Sequence, residues 1–202
     1  MQLKDILYKT GILEVIGDTK TGIASICFDS RQAEEGSLFI AVKGTQSDGH
    51  QYISQVIERG AVAVVCEQLP ADIRSGITYV RVSDSASALA RIASNFFNNP
   101  SEQLTLVGIT GKNGKTTTAT LLYKLFRKLN YGAGLLSTVQ NCINDKIIPA
   151  THTTPDPIQL NKLLAEMVIE GCTHAFMEVS SHAVVQKRVA GLQFAGGVFT
   201  NI

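Results

Sequence analysis

An excess of one charge sign is missing from this sequence. Over 202 residues, 18 Lys and Arg stand against 17 Asp and Glu, a net charge of +1 with His neutral. That balance removes the broad basic field that drives nonspecific nucleic-acid binding, so any polyanionic ligand must meet a local positive site. Cysteine is scarce and scattered. Cys27, Cys66, Cys142 and Cys172 form no Cys-x-x-Cys pair, so neither a zinc site nor a disulfide framework is signalled and reduced, packing thiols are expected. No apolar run approaches the ~18 residues of a membrane span, and Met1-Gln-Leu-Lys-Asp5 has no basic segment leading into an apolar one. A cytoplasmic chain without a membrane or nucleic-acid partner is expected. Internal repeats and low-complexity tracts are absent as well. What the sequence does have is apolar content, 45% against 17% charged, too much for a disordered chain.

The length allows one large domain or two modest ones. Short β-branched runs alternate with helical patterns, the mark of an α/β fold with mainly parallel sheets covered on both faces. Ile23 to Phe28, Ser37 to Val42, Ala61 to Val65 and Thr78 to Val82 read as strands, with a helix from Gln51 to Glu58. A second helix follows Ser83-Asp84; its apolar set Leu89, Ile92, Ala93, Phe96 and Phe97 lies on one face. Asn98-Asn99-Pro100-Ser101 then breaks the pattern, which places domain boundaries at 1–99 and 100–202. The second domain reads as strand Leu104 to Ile109, helix Gly114 to Leu129, strand Gly134 to Thr138, helix Pro157 to Glu170 and strand Thr173 to Val179. Asp156 suits the cap of the Pro157 helix and Gly171 its end. The chain stops at Phe199-Thr200-Asn201-Ile202, on what reads as a strand end, so this second domain is expected to be incomplete.

The strongest chemical signal is Gly108-Ile-Thr-Gly-Lys-Asn-Gly-Lys-Thr-Thr117, between an apolar strand and a helix. Phosphate oxygens need several converging backbone N–H groups. Gly111 and Gly114 permit that approach, and a helix N-terminus adds positive potential. Lys115 supplies a charge, and the Thr116 hydroxyl suits a Mg²⁺ bridging the terminal phosphates. The plain alternative is a glycine turn joining strand to helix with a solvated lysine. The general phosphate loop has a Gly five residues before its Gly-Lys pair, where this chain has Ile109; Gly108 comes one residue early.

That variant, Gly-x-Thr-Gly-x-Asn-Gly-Lys-Thr-Thr, resembles the ATP loop of the Mur ligase family, whose members join amino acids to the UDP-N-acetylmuramoyl peptide precursor of peptidoglycan. The resemblance implies that Gly111, Lys112, Asn113, Gly114, Lys115, Thr116 and Thr117 bind ATP. The family often has Thr at the position of Lys112, which can touch a phosphate or point outward. Met177-Glu-Val-Ser-Ser-His182 resembles the family segment whose Glu binds Mg²⁺, so Glu178 and Thr116 are the implied metal ligands. The same resemblance gives Ser180, Gln186 and Arg188 to the muramoyl-peptide substrate; on their own they read equally as a helix cap, a solvated glutamine and a surface cation. His182 has no paired nucleophile nearby and is structural or substrate-orienting.

Two further segments are similar to the ligases that add the third peptide residue. His152-Thr-Thr-Pro-Asp-Pro157 carries Thr153 and Thr154 over as substrate contacts. Phe28-Asp-Ser-Arg-Gln32, with Gly36 to Gly44 and Asp48-Gly49-His50, resembles the UDP-binding domain of that subgroup, with Ser30, Thr45, Gln46 and Ser47 at the uridine diphosphate. The resemblance spans essentially all 202 residues. It implies a monomer with ATP and Mg²⁺ as cofactors. The implied substrates are UDP-N-acetylmuramoyl-L-alanyl-D-glutamate and an amino acid, meso-diaminopimelate or L-lysine, joined through an acyl phosphate with Lys115 and Glu178 in the catalytic roles. A carbamylated lysine near the metals is expected outside these residues, so this chain alone is expected to bind without turnover. Two other readings stay open: a non-catalytic nucleotide or nucleotide-sugar binding module, and another P-loop NTPase. The one Asn-Lys pair, Asn161-Lys162, is followed by Leu163-Leu164 and so lacks the guanine reader of a GTPase.

Overall fold

Runs of Val, Ile and Leu between turn residues build two separate sheets. The computed structural model describes residues 1–44, 47–150 and 152–202, and the chain forms two units, Met1–Phe96 and Phe97–Ile202. The first contains α1 (Leu3–Ile6), β1 (Ile12–Ile16), β2 (Ser25–Cys27), β3 (Ser37–Ile40), α2 (Ile53–Glu58), β4 (Ala63–Cys66), β5 (Thr78–Val82) and α3 (Ser85–Phe96). The second contains β6 (Thr105–Thr110), α4 (Lys115–Lys128), β7 (Ala133–Leu136), β8 (Gln140–Ile143), β9 (Lys146–Pro149), α5 (Pro157–Ile169), β10 (His174–Glu178), α6 (Ser181–Val185) and β11 (Gly196–Phe199).

The first sheet has the order β1-β5-β4-β3-β2. Strands β2 to β5 run parallel, while β1 pairs antiparallel with β5. Phe39, Val64 and Tyr79 form one buried cluster with Ile53 and Val56 of α2. Their neighbours Leu38, Ile40, Val65 and Val80 are buried as well and point to the opposite face. The expected helix at Gln51 begins instead as a 3-10 turn, Gly49–Tyr52, capped by the Asp48 carboxylate, which accepts from the His50 N–H. Asn95 of α3 donates to the Ile6 and Tyr8 carbonyls, tying α1 to the unit.

The second sheet has the order β11-β6-β10-β7-β8-β9. Its first four strands are parallel and the last two are added antiparallel, so both sheets are mainly parallel, as expected, but mixed, each with antiparallel pairing at an edge. The departures are β1 and the β8–β9 hairpin. The latter turns on Asn144-Asp145 with Asn144 in the left-handed region, and a two-residue connection can join only antiparallel strands. Leu106, Leu136 and Met177 pack with Leu160, Leu164 and Met167 of α5, while Ile109, Leu135 and Phe176 pack with Ala119 of α4. Helices therefore cover both faces of the parallel strands. All four cysteines are free and buried. Burial pushes the Cys27 and Cys66 thiols up to about 11, as expected of packing residues. No described helix is long and apolar enough to cross a membrane.

Candidate functional site

The glycine loop sits where parallel strands end and α4 begins. Strand β6 stops at Thr110, Gly111 has φ 132° and Gly114 has φ 84°, and Lys115 opens the helix. Both glycines occupy conformations that a side chain disfavours. Gly108 is needed for a different reason. Inside β6, a Cβ at that position would meet the Phe194 ring at 2.9 Å. It is a packing glycine, which accounts for its offset from the general loop spacing.

The loop is held by the segment after β11, whose Phe199 pairs in register with Thr110. Thr200 N–H donates to the Thr110 carbonyl at 2.9 Å, and the Thr200 hydroxyl reaches the Asn113 carbonyl at 2.6 Å. Asn201 accepts the Asn113 N–H on its Oδ1 at 3.0 Å, donates its Nδ2 to the Asn113 carbonyl at 3.1 Å, and accepts the Lys112 N–H on its own carbonyl. Two loop amides are thus engaged within the protein. The first-turn amides of α4 are donors with no carbonyl one turn back along the helix. Lys115 Nζ donates to the Gly111 and Lys112 carbonyls at 2.7 and 3.1 Å, which suspends its charge over the loop.

Glu178 ends β10, level with Ile109 of β6, and is 1% exposed. No ion pair among the described residues engages it. Its Oε1 accepts the Thr138 N–H at 2.9 Å and its Oε2 lies 3.1 Å from the Thr138 hydroxyl. Thr138 also lies 3.0 Å from the Thr153 hydroxyl. Buried Thr154 donates its hydroxyl to the Glu178 carbonyl and accepts the Ser180 N–H.

A cavity of about 760 Å³ joins these groups, lined by Gly111 to Thr116, Thr138, Thr153, Glu178, Ser180 and His182, with Phe199 and Asn201 at its side. Most of the expected ATP and metal residues therefore meet in one place. Thr117 is exposed and does not line the cavity, and Thr154 is interior. Ser180 also caps α6 by accepting the Ala183 N–H. Gln186 and Arg188 lie outside the lining: Arg188 donates to the Gln186 side chain and to the Thr154 carbonyl. In the first unit, Ser30 opens a 3-10 turn and its carbonyl accepts from Arg59, while Ser47 donates to the Tyr52 hydroxyl. Thr45 and Gln46 lie outside the described residues.

Sequence reasoning overlooked Thr138, Thr200 and Asn201. The available signal was position: each follows the C-terminal end of an apolar parallel strand, where open α/β sheets gather their ligand contacts. No cluster of three or more His, Cys, Asp or Glu among the described residues could hold a metal by itself. A buried carboxylate with no ion-pair partner among the described residues, bonded to Thr138 and lining the same cavity as Thr116, is nonetheless a hard oxygen set. It suits Mg²⁺, which takes one or two protein ligands and completes its shell with water and phosphate.

Residues 109–202 match the Mur ligase middle domain, and residues 22–97 match the domain described as Mur ligase family, catalytic domain. The chain belongs to the Mur ligase family. It is 63% identical over 203 residues to the UDP-N-acetylmuramoyl-L-alanyl-D-glutamate–2,6-diaminopimelate ligase of Cytophaga hutchinsonii, covering 100% of this chain and 42% of that protein. A solved structure of a ligase of that name shares the fold, with a TM-score of 0.81 at 23% identity over 100% of this chain and 40% of the other. The MurF ligase of Thermotoga maritima, solved in complex with ADP, matches with a TM-score of 0.52 at 26% identity over 82% of this chain and 34% of the other. The chain spans about two fifths of the length of the curated relatives it matches. Within this Mur ligase chain, the whole cavity lining falls in the middle-domain match.

Proposed function

We propose that the cavity at Lys115 and Glu178 is the ATP and Mg²⁺ site of a ligase that adds an amino acid to UDP-N-acetylmuramoyl-L-alanyl-D-glutamate in the cytoplasm, where ATP is available. The names of the relatives favour 2,6-diaminopimelate over L-lysine as that amino acid. The first unit, with Ser30 and the Thr45-Gln46-Ser47 stretch, holds the uridine diphosphate. The second unit, 97–202, is the ATP-binding domain. One observation carries the reading: a lysine-bearing glycine loop and a buried carboxylate with no ion pair among the described residues face one cavity.

The chemistry requires that a substrate carboxylate approach a triphosphate, two groups that repel. It attacks the γ-phosphorus, ADP departs, and the resulting acyl phosphate is attacked at carbon by the incoming amine. A tetrahedral intermediate then releases phosphate, and the amine loses a proton to leave the amide. Lys115 and the first-turn amides of α4 offset the repulsion by fixed positive potential. Glu178 and Thr116 would hold Mg²⁺, which supplies charge neutralisation at the phosphates when bound. Thr153 and Ser180, on the same cavity, orient the carboxylate end of the peptide. Arg188 stays on the Thr154 carbonyl and positions that loop.

Calorimetric titration with ADP and Mg²⁺ tests the reading. The 202-residue chain binds ADP saturably, and Lys115→Ala raises the Kd about tenfold or more, the loss expected for a hydrogen bond to a charged group. Equal affinity in the variant, or no binding by the folded wild-type chain, contradicts it.

A further inference from the structure

Among the described residues, the carboxylate of Glu178 is hydrogen-bonded by one side chain and one backbone N–H, and both belong to Thr138. An ionised carboxylate only accepts hydrogen bonds, so the Thr138 hydroxyl must donate its single proton to Oε2. The same hydroxyl also faces the Thr153 hydroxyl, 3.0 Å away, as a donor. Two of the roughly four acceptor sites of the carboxylate are occupied in this way, which leaves the others for a cation.

Thr138 is itself held in place. It lies two residues past β7, in a turn where the Ser137 hydroxyl donates to the Gln140 carbonyl at 2.7 Å and the Ser137 N–H reaches the Asn141 side chain. The turn is braced by its own side chains, and Thr138 stands exposed at the cavity rather than in the core.

We propose that Thr138 is the positioning residue of this site: its hydroxyl and N–H together fix the Glu178 carboxylate in the orientation that receives a divalent cation. The inference rests on the ATP and Mg²⁺ reading above. Without the hydroxyl, one carboxylate oxygen loses the side-chain partner it has among the described residues and the group must be reoriented each time the metal binds, so binding requires more Mg²⁺. Preorganisation of a ligand by an outer hydrogen-bond partner commonly changes metal affinity by about 10- to 100-fold, and the lower end is expected here because the N–H bond remains.

The proposal is tested by ADP titrations of the 202-residue chain over a range of Mg²⁺ concentrations, with thermal unfolding measured in parallel. Thr138→Val keeps the shape and the N–H, and raises the Mg²⁺ concentration that half-saturates the enhancement of ADP binding by about tenfold. Thr138→Ser restores it to within about twofold of wild type, because the donated bond returns. Lys115→Ala, in contrast, weakens ADP at every Mg²⁺ concentration, including none. A Thr138→Val chain with the wild-type Mg²⁺ requirement overturns the inference, as does a shift that Thr138→Ser fails to reverse. A wild-type chain whose ADP binding ignores Mg²⁺ overturns the metal reading, and this inference with it.

Discussion

Asn201 shapes the glycine loop as firmly as the glycines do. Its side chain accepts from and donates to Asn113, and its carbonyl takes the Lys112 N–H, so loop and strand end form one piece. Gly111 is the point where that piece tolerates no side chain. Its φ is 132°, and a Cβ would meet the Thr200 hydroxyl and stand 2.8 Å from the Asn201 carbonyl. Gly111→Ala is expected to cost about 1–3 kcal/mol and to abolish ADP binding; a calorimetric scan with and without ADP measures both, and an unchanged Tm with normal binding contradicts it. The sequence reveals Gly111, Gly114, Lys115 and Glu178 because each belongs to a contiguous segment whose chemistry is local. It conceals Thr138 and Asn201, because their partners lie 40 and 88 residues away and only folding makes them neighbours.

Helix α5 shows how local signals carry an element. The Asp156 carboxylate accepts the N–H groups of Ile158 and Gln159 at 2.9 and 3.0 Å, Pro157 occupies the first turn, and Gly171 takes φ 74° after the end. Each of these features reads from neighbouring residues alone. Asp156→Ala is expected to destabilise the second unit by about 1 kcal/mol, while Asp156→Asn, also a good cap, retains most of the stability. Urea denaturation followed by circular dichroism measures the difference, and equal midpoints for the Ala variant and wild type contradict it. Strand β1 and the β8–β9 hairpin gave weaker signals. Ile12, Leu13 and Val15 are exposed in an edge strand, and β9 is exposed at three of its four residues, so neither shows the continuous apolar run of a buried parallel strand. The parallel strands β6, β7 and β10 do show it, because helices cover both of their faces.

Across the whole molecule, near-neutral charge and the proposed binding of two polyanions are compatible only if the positive potential is local. Lys112, Lys115 and the first turn of α4 concentrate it at one cavity of the second unit. The α/β class was legible in the alternation of apolar runs and helical patterns. The mixed character of both sheets was not, because strand direction depends on connections that short polar segments only weakly encode. The central claim, that this Mur ligase chain handles a UDP-muramoyl peptide together with ATP, is tested most directly by calorimetric titration with UDP-N-acetylmuramoyl-L-alanyl-D-glutamate. The account predicts saturable binding at a single site by the folded chain; absence of saturable binding in a sample shown to be folded would contradict it.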